Sequence, residues 1–533
     1  MTGGHRALTL LLLCALVVTT LMITHRASRG RHGSPEEFYA GGRQFSPAGN
    51  GFAIAGDYLS AASFLGVAGL IALYGYDGML HSVGFLAAWP IVLLLVAELV
   101  RNCGRFTLAD VVAARMSEPP VRIAVGISSV TVSVLYLVAQ MAGAGSLVAL
   151  LLGDTGPAVR ACAIAGIGAL MIVHVARGGM RATTWIQIVT AVLLLAGAGA
   201  LTVLVLLRHG GDLGALAATA AERSGHGSGF LAPGLRYGHD WTARLDLLSL
   251  GLALVLGTAG LPHVLARFLT VPTARAARLS AVWAIGLIGG FCLMTVVLGL
   301  GAAALVGPDA VRAADPSGNT ALPLLALDLG GGAGSAGGAV LFAVVAAVAL
   351  AAVLAVVAGV TLASSAAVAH DLYASLTRRH RRGRPPRGEV AVARVAATLI
   401  GAVAIALGIL AQDLNVAFLA GLAFAAAASA HLPVLLYTLF WRRFTARGAL
   451  WSVCGGLAPA VVLVVLSPVV SGGPRALFPE WDFALFPLQN PALVSVPLGF
   501  LAGWLGTLLS PGAPDGTRHA ETEVRALTGA GAA

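Results

Sequence analysis

Long apolar runs recur along almost the whole chain and restrict its fold more than any other feature. A run of 18 or more apolar residues is long enough to cross a bilayer as a helix. Hydrophobic residues make up 58% of the 533 residues, charged residues only 11%, and the mean hydropathy is +0.88. A soluble fold of this length cannot bury so much apolar surface, and the alternating segments of a membrane β-barrel are absent. The chain is predicted to be an all-α polytopic membrane protein.

The apolar runs predict about 13 transmembrane helices, with ends defined only to within several residues. The predicted spans lie near residues 7–24, 47–73, 80–100, 121–152, 159–176, 182–207, 244–267, 279–306, 336–369, 390–411, 414–440, 449–470 and 491–509.

The arginines are concentrated in alternate loops, and the chain has no lysine. This is the positive-inside pattern. It predicts an N-terminus outside and a C-terminus in the cytoplasm of a bacterium, and it relates the net charge of +10 to the bilayer rather than to nucleic acid. The arginine-rich segments are 26–43, 101–115, 377–389 and 441–448, and the arginine-poor ones include 75–78, 153–156 and 209–243.

The chain divides into four predicted parts. The run 7–24 could be mistaken for a secretory signal, but its stronger positive flank follows the apolar core and no A-x-A site closes it. We therefore expect residues 1–46 to hold a retained helix and a cytoplasmic linker. Residues 47–440 form a ten-helix core, 441–510 two further helices, and 511–533 a short cytoplasmic tail expected to be disordered.

The ten-helix core divides into two halves of five helices, 47–207 and 244–440. Because five is odd, the second half must run opposite to the first. The first helix of each half carries an interruption, at Gly56-Asp57 and at Gly257–Pro262. Helices broken at matching places in inverted halves indicate a transporter binding site, since unwound backbone frees groups for a carboxylate or a cation.

Asp57 is the most informative single residue, because it lies within a membrane-spanning run. An aspartate at mid-membrane costs roughly 2.5 to 3.5 kcal/mol, so one that is present usually faces a cavity and has a function. Ala53, Gly56, Ser60 and Ser63 form a stripe of small residues beside it, which lets a helix or a ligand approach the backbone. A capping role at the break, or a structural pair with a donor, is the alternative.

No signature of an enzyme, a metal site or a cofactor is found. The five cysteines are far apart, with no CxxC pair. The spans contain no HExxH motif, metal-spaced His/Cys cluster or paired catalytic acids. The only expected small partners are a substrate and a coupling cation.

Several long motifs occur in order over residues 36 to 510. They are FYAGGR (38–43), AIAGDYLSAASFLG (53–66), YGYDG (74–78), GRFTLADV (104–111), LVAQMAGAG (137–145), GGMRATTWIQIVTAVLLL (178–195), GTAGLPHVLARFLTVPTARAAR (257–278) and LAVVAGVTLASSAAVAHDLY (354–373). Together they resemble the sodium/solute symporter family and, within it, the cation/acetate symporters. The resemblance implies a LeuT-like core of two inverted five-helix repeats. It also implies uptake of acetate and related short monocarboxylates driven by a cation gradient.

One departure from the family concerns its sodium site. Sodium-coupled members usually place two hydroxyl residues 15 and 16 positions before the aspartate that is Asp371 here. Those positions are Val356 and Ala355, whose side chains cannot ligate a cation that requires oxygen. Either Na⁺ binds through other groups or the coupling ion is H⁺. The nearby hydroxyls that we consider as replacements are those of Thr361, Ser364 and Ser365. The alternative is that they bond only to their own helix.

Other residues have a functional and a structural interpretation. Tyr58 is expected to bond the substrate carboxylate or to pack, and Gln140 to line a cavity or to join helices. Thr258 and Gly260 lie in the second interruption, and His263 follows its proline, where a role in gating or proton transfer competes with packing. Arg267 is expected to snorkel to the cytoplasmic face, and His370 and Asp371 are expected to fix a loop. His431 stands where members of the family have Asn, and is expected to be a local substitution without consequence.

The leading hypothesis is a secondary-active symporter of acetate-like monocarboxylates. A symporter of the same fold for pyruvate, propionate, proline or a sugar is the first alternative. A membrane sensor with a transporter fold is the second, and a membrane-embedded enzyme has the least support.

Overall fold

The computed structural model describes residues 34–116, 119–152, 156–378, 388–473, 476–510 and 516–531, and scattered residues between 11 and 26. Within these ranges the regular structure is helical, apart from an isolated bridge between Ser471 and Phe478. The helices are α1 (Pro35–Ala40), α2 (Pro47–Tyr58), α3 (Val67–Tyr74), α4 (Tyr76–Leu95), α5 (Ala97–Cys103), α6 (Leu108–Ala113), α7 (Pro119–Leu152), α8 (Pro157–Arg208), α9 (Leu213–Arg223), α10 (Trp241–Gly257), α11 (Pro262–Phe268), α12 (Ala274–Gly301), α13 (Pro308–Ala314), α14 (Ala321–Leu329), α15 (Ala336–Ala366), α16 (Ala374–Arg378), α17 (Glu389–Leu410), α18 (Val416–Phe440), α19 (Ala446–Val465), α20 (Ala492–Leu508) and α21 (Gly516–Thr528).

The described helices confirm a polytopic helical protein. Nine are long and apolar enough to cross a membrane, and the bent pair Pro47–Tyr58 and Ala62–Tyr74 makes up to ten spans. Helix α20 is apolar but shorter. The number of thirteen stays a prediction, because most of the run 7–24 lies outside the described residues.

Helix α8 has 52 residues and covers two of the predicted spans, 159–176 and 182–207. It turns at Gly179, whose φ of 58° and ψ of −169° are not helical. Residues with a Cβ rarely adopt such a backbone, and a Cβ here would lie 3.1 Å from the ring of Phe38 on α1. The glycine therefore divides one helix into two arms, each long enough to cross a bilayer.

The core helices pack in two groups, and each group contains equivalent helices from both halves. In one group, α2 and α4 pack against α12, and α4 also packs against α10. In the other, α7 and α8 pack against both α15 and α17. Equivalent helices of the two halves thus have equivalent neighbours, as expected of inverted repeats. Helix α18 fills the centre, and 94% of its most apolar window is buried.

Both predicted interruptions are present. Helix α2 starts at Pro47 under a cap from Ser46, whose hydroxyl accepts from the backbone N–H of Gly49 at 3.1 Å. It ends at Tyr58, and the chain bends by 62° before it continues through a π-helical turn into α3. Helix α10 ends at Gly257 and passes through the 3₁₀ turn Thr258–Gly260 to Pro262, the first residue of α11. Proline suits this position, because a helix start leaves its missing N–H without consequence.

The tail departs from the expectation of disorder. Residues Gly516–Thr528 form helix α21, which packs on α5. His519, Thr522 and Ala526 are its buried residues and lie on one face at a spacing of three and four. Nδ2 of Asn102 donates to the carbonyl of Ala526 at 2.7 Å. The Gly- and Ala-rich composition of the tail conceals this short amphipathic pattern.

Candidate functional site at the helix interruptions

Asp57 lies in the last turn of α2 and is 1% exposed. Its Oδ1 accepts a hydrogen bond from Nε2 of Gln187 at 2.7 Å. Its Oδ2 lies 3.3 Å from Nε of Arg267, which is also 1% exposed. The aspartate is therefore paired inside the protein, and we call Asp57, Gln187 and Arg267 the central site.

The expectation that Arg267 snorkels to the membrane surface is wrong. Helix α11 begins at Pro262, so Arg267 is five residues, or about 7.5 Å, from the interruption. The side chain extends inward instead, and Nη1 donates to Oγ1 of Thr184 at 2.8 Å. Its own carbonyl accepts from Nδ2 of Asn50 at 3.1 Å, which ties α11 to α2. Asp57 therefore does form the structural pair that the sequence offered as an alternative to a transport role, and its donors are Arg267 and Gln187.

Two glycines let the neighbouring helices close around the carboxylate. A Cβ at Gly359 of α15 would overlap Oδ1 of Asp57 and lie 2.7 Å from Nε2 of Gln187. A Cβ at Gly56 would overlap the carbonyl of Gln187. Gln187 also donates to the carbonyl of Ala355 at 3.2 Å, so α8, α2 and α15 meet at this amide.

Asp57 and Arg267 each stabilise the buried charge of the other. Removing one partner of a buried ion pair leaves an unpaired charge and typically costs about 3 to 5 kcal/mol. The intact pair is worth much less, because desolvation offsets the attraction. Such a pair is weak evidence for stability and is better explained by a function.

Tyr58 and Thr258 join the two interruptions. The hydroxyl of Tyr58 lies 3.0 Å from Oγ1 of Thr258 and donates to the carbonyl of Phe85 at 3.0 Å. The ring of Tyr58 packs edge-on against Trp89 and Phe424. The two broken helices are therefore in direct contact at their interruptions.

Ser60, Ser63 and Gln140 bond to the backbone of the first interruption. The N–H of Ser60 donates to Oγ of Ser63 at 2.9 Å, and the N–H of Ala61 donates to Oε1 of Gln140 at 3.3 Å. The amide nitrogen of Gln140 has no partner among the described residues. These side chains satisfy the unwound backbone, and Gln140 keeps a free donor.

His431 supports the second interruption and is not a substitution without consequence. Its Nδ1 lies 2.6 Å from the carbonyl of Gly260, and its Nε2 lies 2.8 Å from Oγ of Ser128. A carbonyl only accepts, so Nδ1 carries a proton. The imidazole thereby links α18 and α7 to the unwound turn.

The sequence profile of the sodium:solute symporter family matches residues 38–456. The chain belongs to this family. A relative from Corynebacterium glutamicum, named monocarboxylic acid transporter, is 49% identical over 99% of this chain and 96% of its own length. A relative from Bacillus subtilis, the uncharacterized symporter YwcA, is 47% identical over 97% of this chain and 98% of its own length. The resemblance seen in the sequence is confirmed, and these relatives are transporters.

Solved structures confirm the fold of this family member. A Na⁺-coupled sialic acid symporter in its substrate-bound outward-open state matches with a TM-score of 0.69 at 14% identity, over 95% of this chain and 98% of that one. MhsT in complex with L-phenylalanine matches with a TM-score of 0.51 at 16% identity, over 86% of this chain and 98% of that one. The all-helical, LeuT-like class predicted from the sequence is correct.

In this symporter the hydroxyls suggested as a replacement cation site are engaged elsewhere. Oγ of Ser364 donates to the carbonyl of Thr361, and Oγ of Ser365 to that of Leu362. Oγ1 of Thr361 lies 2.9 Å from Sδ of Met171. None of these bonds reaches the central site, so a cation site at these hydroxyls stays a prediction.

His263 lies one turn before Arg267 in α11 and is 2% exposed. Its ring stacks on Tyr136 with centroids 5.1 Å apart. Neither ring nitrogen has a hydrogen-bond partner among the described residues. The stacking accounts for its packing, and its role in gating or proton transfer stays a prediction.

A second buried charge cluster, which we call the peripheral network, joins α6, α7, α17 and the π-helical turn Ala367–Tyr373. Arg122 contacts Asp110 at 2.7 Å and Asp371 at 3.3 Å. His370 lies 3.1 Å from Asp110 and 2.9 Å from Glu389. Burial works to raise the pKa of Asp110, but His370 and Arg122 outweigh it and hold that pKa well below its usual range.

The peripheral network has the residue types of a metal site but is better explained as ion pairing. Ligand atoms of Asp110, His370 and Asp371 all lie within 4.8 Å of one another. Arg122 already supplies a cation to both aspartates, and His370 contacts a carboxylate through each nitrogen. The structural role expected of His370 and Asp371 agrees with these contacts.

Sequence reasoning missed Gln187, Arg267 and Arg122 as members of these clusters. Gln187 is a lone polar residue in an apolar run, a signal of the same kind as Asp57. Arg267 lies too near an interruption to be assigned safely to a membrane surface. Both signals are visible in the sequence, but which residues pair depends on tertiary packing.

Proposed function

We propose that this protein imports acetate or a related short-chain monocarboxylate together with a cation, Na⁺ or H⁺, across a bacterial cytoplasmic membrane. The observation that carries the proposal is the buried Asp57–Arg267 pair at the junction of two interrupted helices. An arginine is the side chain best suited to a carboxylate, because its planar fork matches two oxygens. The central site thus offers a cation for the substrate and an acid for coupling.

The surroundings favour a small, partly apolar substrate. Aromatic rings of Tyr58, Trp89, Tyr136 and Phe424 border the interruptions. They provide apolar surface and few of the polar groups that a sugar or a long polyol requires. The relative that is 49% identical and matched nearly end to end is named a monocarboxylic acid transporter, which supports the same substrate class.

A cavity on the arginine-poor side of the protein supports entry of the substrate from that side. It has a volume of about 390 Å³ and lies between α3 and the start of α18. Leu70 and Tyr74 of α3 line it, with Phe418 and Arg236. Leu70 is seven residues, or about 10 Å, beyond Ser63 at the interruption. We propose that substrate enters here, and that the arginine-rich end, with the C-terminus, faces the cytoplasm.

The proposed mechanism is alternating access around the interruptions. Binding of cation and carboxylate at the two breaks orders the outward-facing state, and the two helix groups then rock to open the inner side. The proposed substrate and ion residues are Arg267 and those predicted from the sequence, namely Gly56, Asp57, Tyr58, Ser60, Ser63, Gln140, Thr258, Gly260, Thr361, Ser364 and Ser365.

Uptake of labelled substrate into proteoliposomes tests the proposal. Acetate, propionate, pyruvate and proline are each offered under an imposed Na⁺ gradient and, separately, under an imposed H⁺ gradient at fixed membrane potential. Accumulation of a monocarboxylate under either gradient, above the level reached in protein-free liposomes, is the expected result. Accumulation of proline alone, or of none of the four, contradicts the substrate assignment.

A further inference from the structure

The charges at the central site balance in the state that the structure shows. Asp57 carries one negative charge, and Arg267 carries one positive charge at 3.3 Å. The other partners, Gln187 and Thr184, are neutral. A substrate carboxylate that bound here without any other change would leave the site with an excess negative charge in a dry environment, which is strongly unfavourable.

Few other groups could correct that balance. Of the elements packed against α2, α11 brings His263 as well as Arg267, and α8 brings the neutral Thr184 and Gln187. Tyr136 of α7 bonds to Ser60, just beyond the end of α2. Helix α15 presents Gly359 to the carboxylate, and α12 presents Ser280 and Trp283 to the α2 backbone at Gly51. A proton on His263 would balance the charge but would leave Asp57 on Arg267, whereas a proton on Asp57 balances the charge and also frees Arg267.

The immediate surroundings of the Asp57 carboxylate favour a proton over a metal cation. Its two hydrogen-bonding partners are the amide nitrogen of Gln187 and the guanidinium of Arg267, and both are donors. The amide oxygen of Gln187 has no partner among the described residues, but it is a single oxygen. A hard cation requires several oxygen ligands. The carbonyl of Ala355, at one of the positions where sodium-coupled members have a hydroxyl, accepts from Gln187.

Arg267 can accept a second carboxylate. Its Nη1 is fixed by Thr184 and its Nε lies at Asp57, whereas Nη2 donates to no described residue. The Nε–Nη2 edge is the one that holds a carboxylate through two parallel hydrogen bonds. Asp57 contacts only one nitrogen of that edge, so a ligand with two free oxygens can replace it.

We propose that the substrate carboxylate takes the place of Asp57 on Arg267, while Asp57 accepts the coupling proton. This inference rests on the proposed function and specifies its ion and its binding group. Outside, one proton adds to Asp57, and the substrate oxygens form the hydrogen bonds that Asp57 gives up. Inside, the substrate leaves, the proton is released, and Asp57 returns to Arg267. Each cycle moves one proton and one carboxylate, so the site keeps a net charge of zero and transport is electroneutral.

The test uses the full-length protein in proteoliposomes with pyruvate and acetate as probes, each measured against protein-free liposomes, because undissociated acid crosses lipid without a carrier. For the wild type, each unit of imposed pH gradient is expected to give about tenfold accumulation, without Na⁺ and without a response to membrane potential. Asp57→Asn is expected to lose accumulation but to keep exchange of labelled for unlabelled substrate, and that exchange no longer depends on pH. Arg267→Gln is expected to lose both activities.

Arg101→Gln is the matched control, because Arg101 is also buried but donates to the carbonyls of Val271 and Pro272. It should keep accumulation driven by the pH gradient. A requirement for Na⁺ with no response to the pH gradient overturns the proposal, as does full accumulation by Asp57→Asn. If one variant fails to fold, the other variant and the wild-type gradients decide. If the wild type moves neither acid, the proposed function itself fails, which is a separate result.

Discussion

The central site and the peripheral network are both buried and charged, yet they are built differently. In the central site a single acid faces a single base, and the other partners are neutral. In the peripheral network Arg122 contacts two acids, and His370 contacts Asp110 and Glu389. Asp57 and Asp371 are equally buried at 1% exposure, so burial does not distinguish them. What distinguishes the two aspartates is the number of charged groups in their surroundings.

This difference separates a site that can change partners from one that holds helices together. A network that shares its charges over several groups tolerates the loss of one, because the remaining members still compensate. A lone pair has no substitute within the protein, so only an arriving ligand can replace a partner. The contrast predicts large effects at the central site and smaller ones at the peripheral network.

The largest effect is expected for Arg267→Gln, which leaves the Asp57 carboxylate buried without a counter-charge. We expect a loss of about 3 to 5 kcal/mol in the free energy of unfolding, measured by thermal and denaturant unfolding in detergent. The double variant Asp57→Asn/Arg267→Gln should recover most of this loss. A double variant no more stable than the single one would show that the two side chains are not coupled.

Gly359→Ala should come next, because the added methyl group competes with Oδ1 of Asp57 for the same space. Overpacking of this kind typically costs about 1 to 3 kcal/mol, and transport should fall with it. Gly286→Ala in α12 is the matched control, since a Cβ there meets nothing within 4 Å. Equal transport by the two variants would argue against the tight fit at the carboxylate.

A smaller effect is expected for Arg122→Gln in the peripheral network. Asp110 still accepts from the N–H groups of Phe106 and Thr107, and Asp371 still accepts from Oγ1 of Thr107. We expect a loss of about 1 to 2 kcal/mol and an unchanged pH dependence of uptake. A loss as large as that of Arg267→Gln would remove the distinction between the two clusters.

The smallest effect is expected for Asp371→Asn. The network has three acids against Arg122 and His370, and Oδ2 of Asp371 has no partner among the described residues. Removing one negative charge should change stability by less than about 1 kcal/mol in either direction. The check is to measure unfolding and uptake for Asp371→Asn and Asp57→Asn under the same conditions, since the two aspartates are equally buried. Matching losses of uptake in the two would contradict the contrast.

The sequence was sufficient for the helical membrane class, the two interruptions and the position of Asp57 at the first of them. Each of these depends on local properties, namely apolar length, Gly and Pro positions, and one acid in an apolar run. Arg267 was misassigned because hydropathy places an arginine near a helix end at the surface. Its real environment is set by the shortness of α11 and by α2 and α8, which are distant in sequence. The back-bonded Ser364 and Ser365, and the docked tail helix, likewise depend on which neighbours are present.

The pairing of Asp57 with Arg267 also limits when the two halves of the chain can pack together during biogenesis. Asp57 and Arg267 are 210 positions apart, so at typical synthesis rates roughly 10 to 40 s separate their emergence from the ribosome. During that interval the first interrupted helix has an acid and no base to pair with it. The first half therefore cannot reach its final packing when its own five helices are complete. Insertion of the second half completes both, which makes union of the halves a late event in biogenesis.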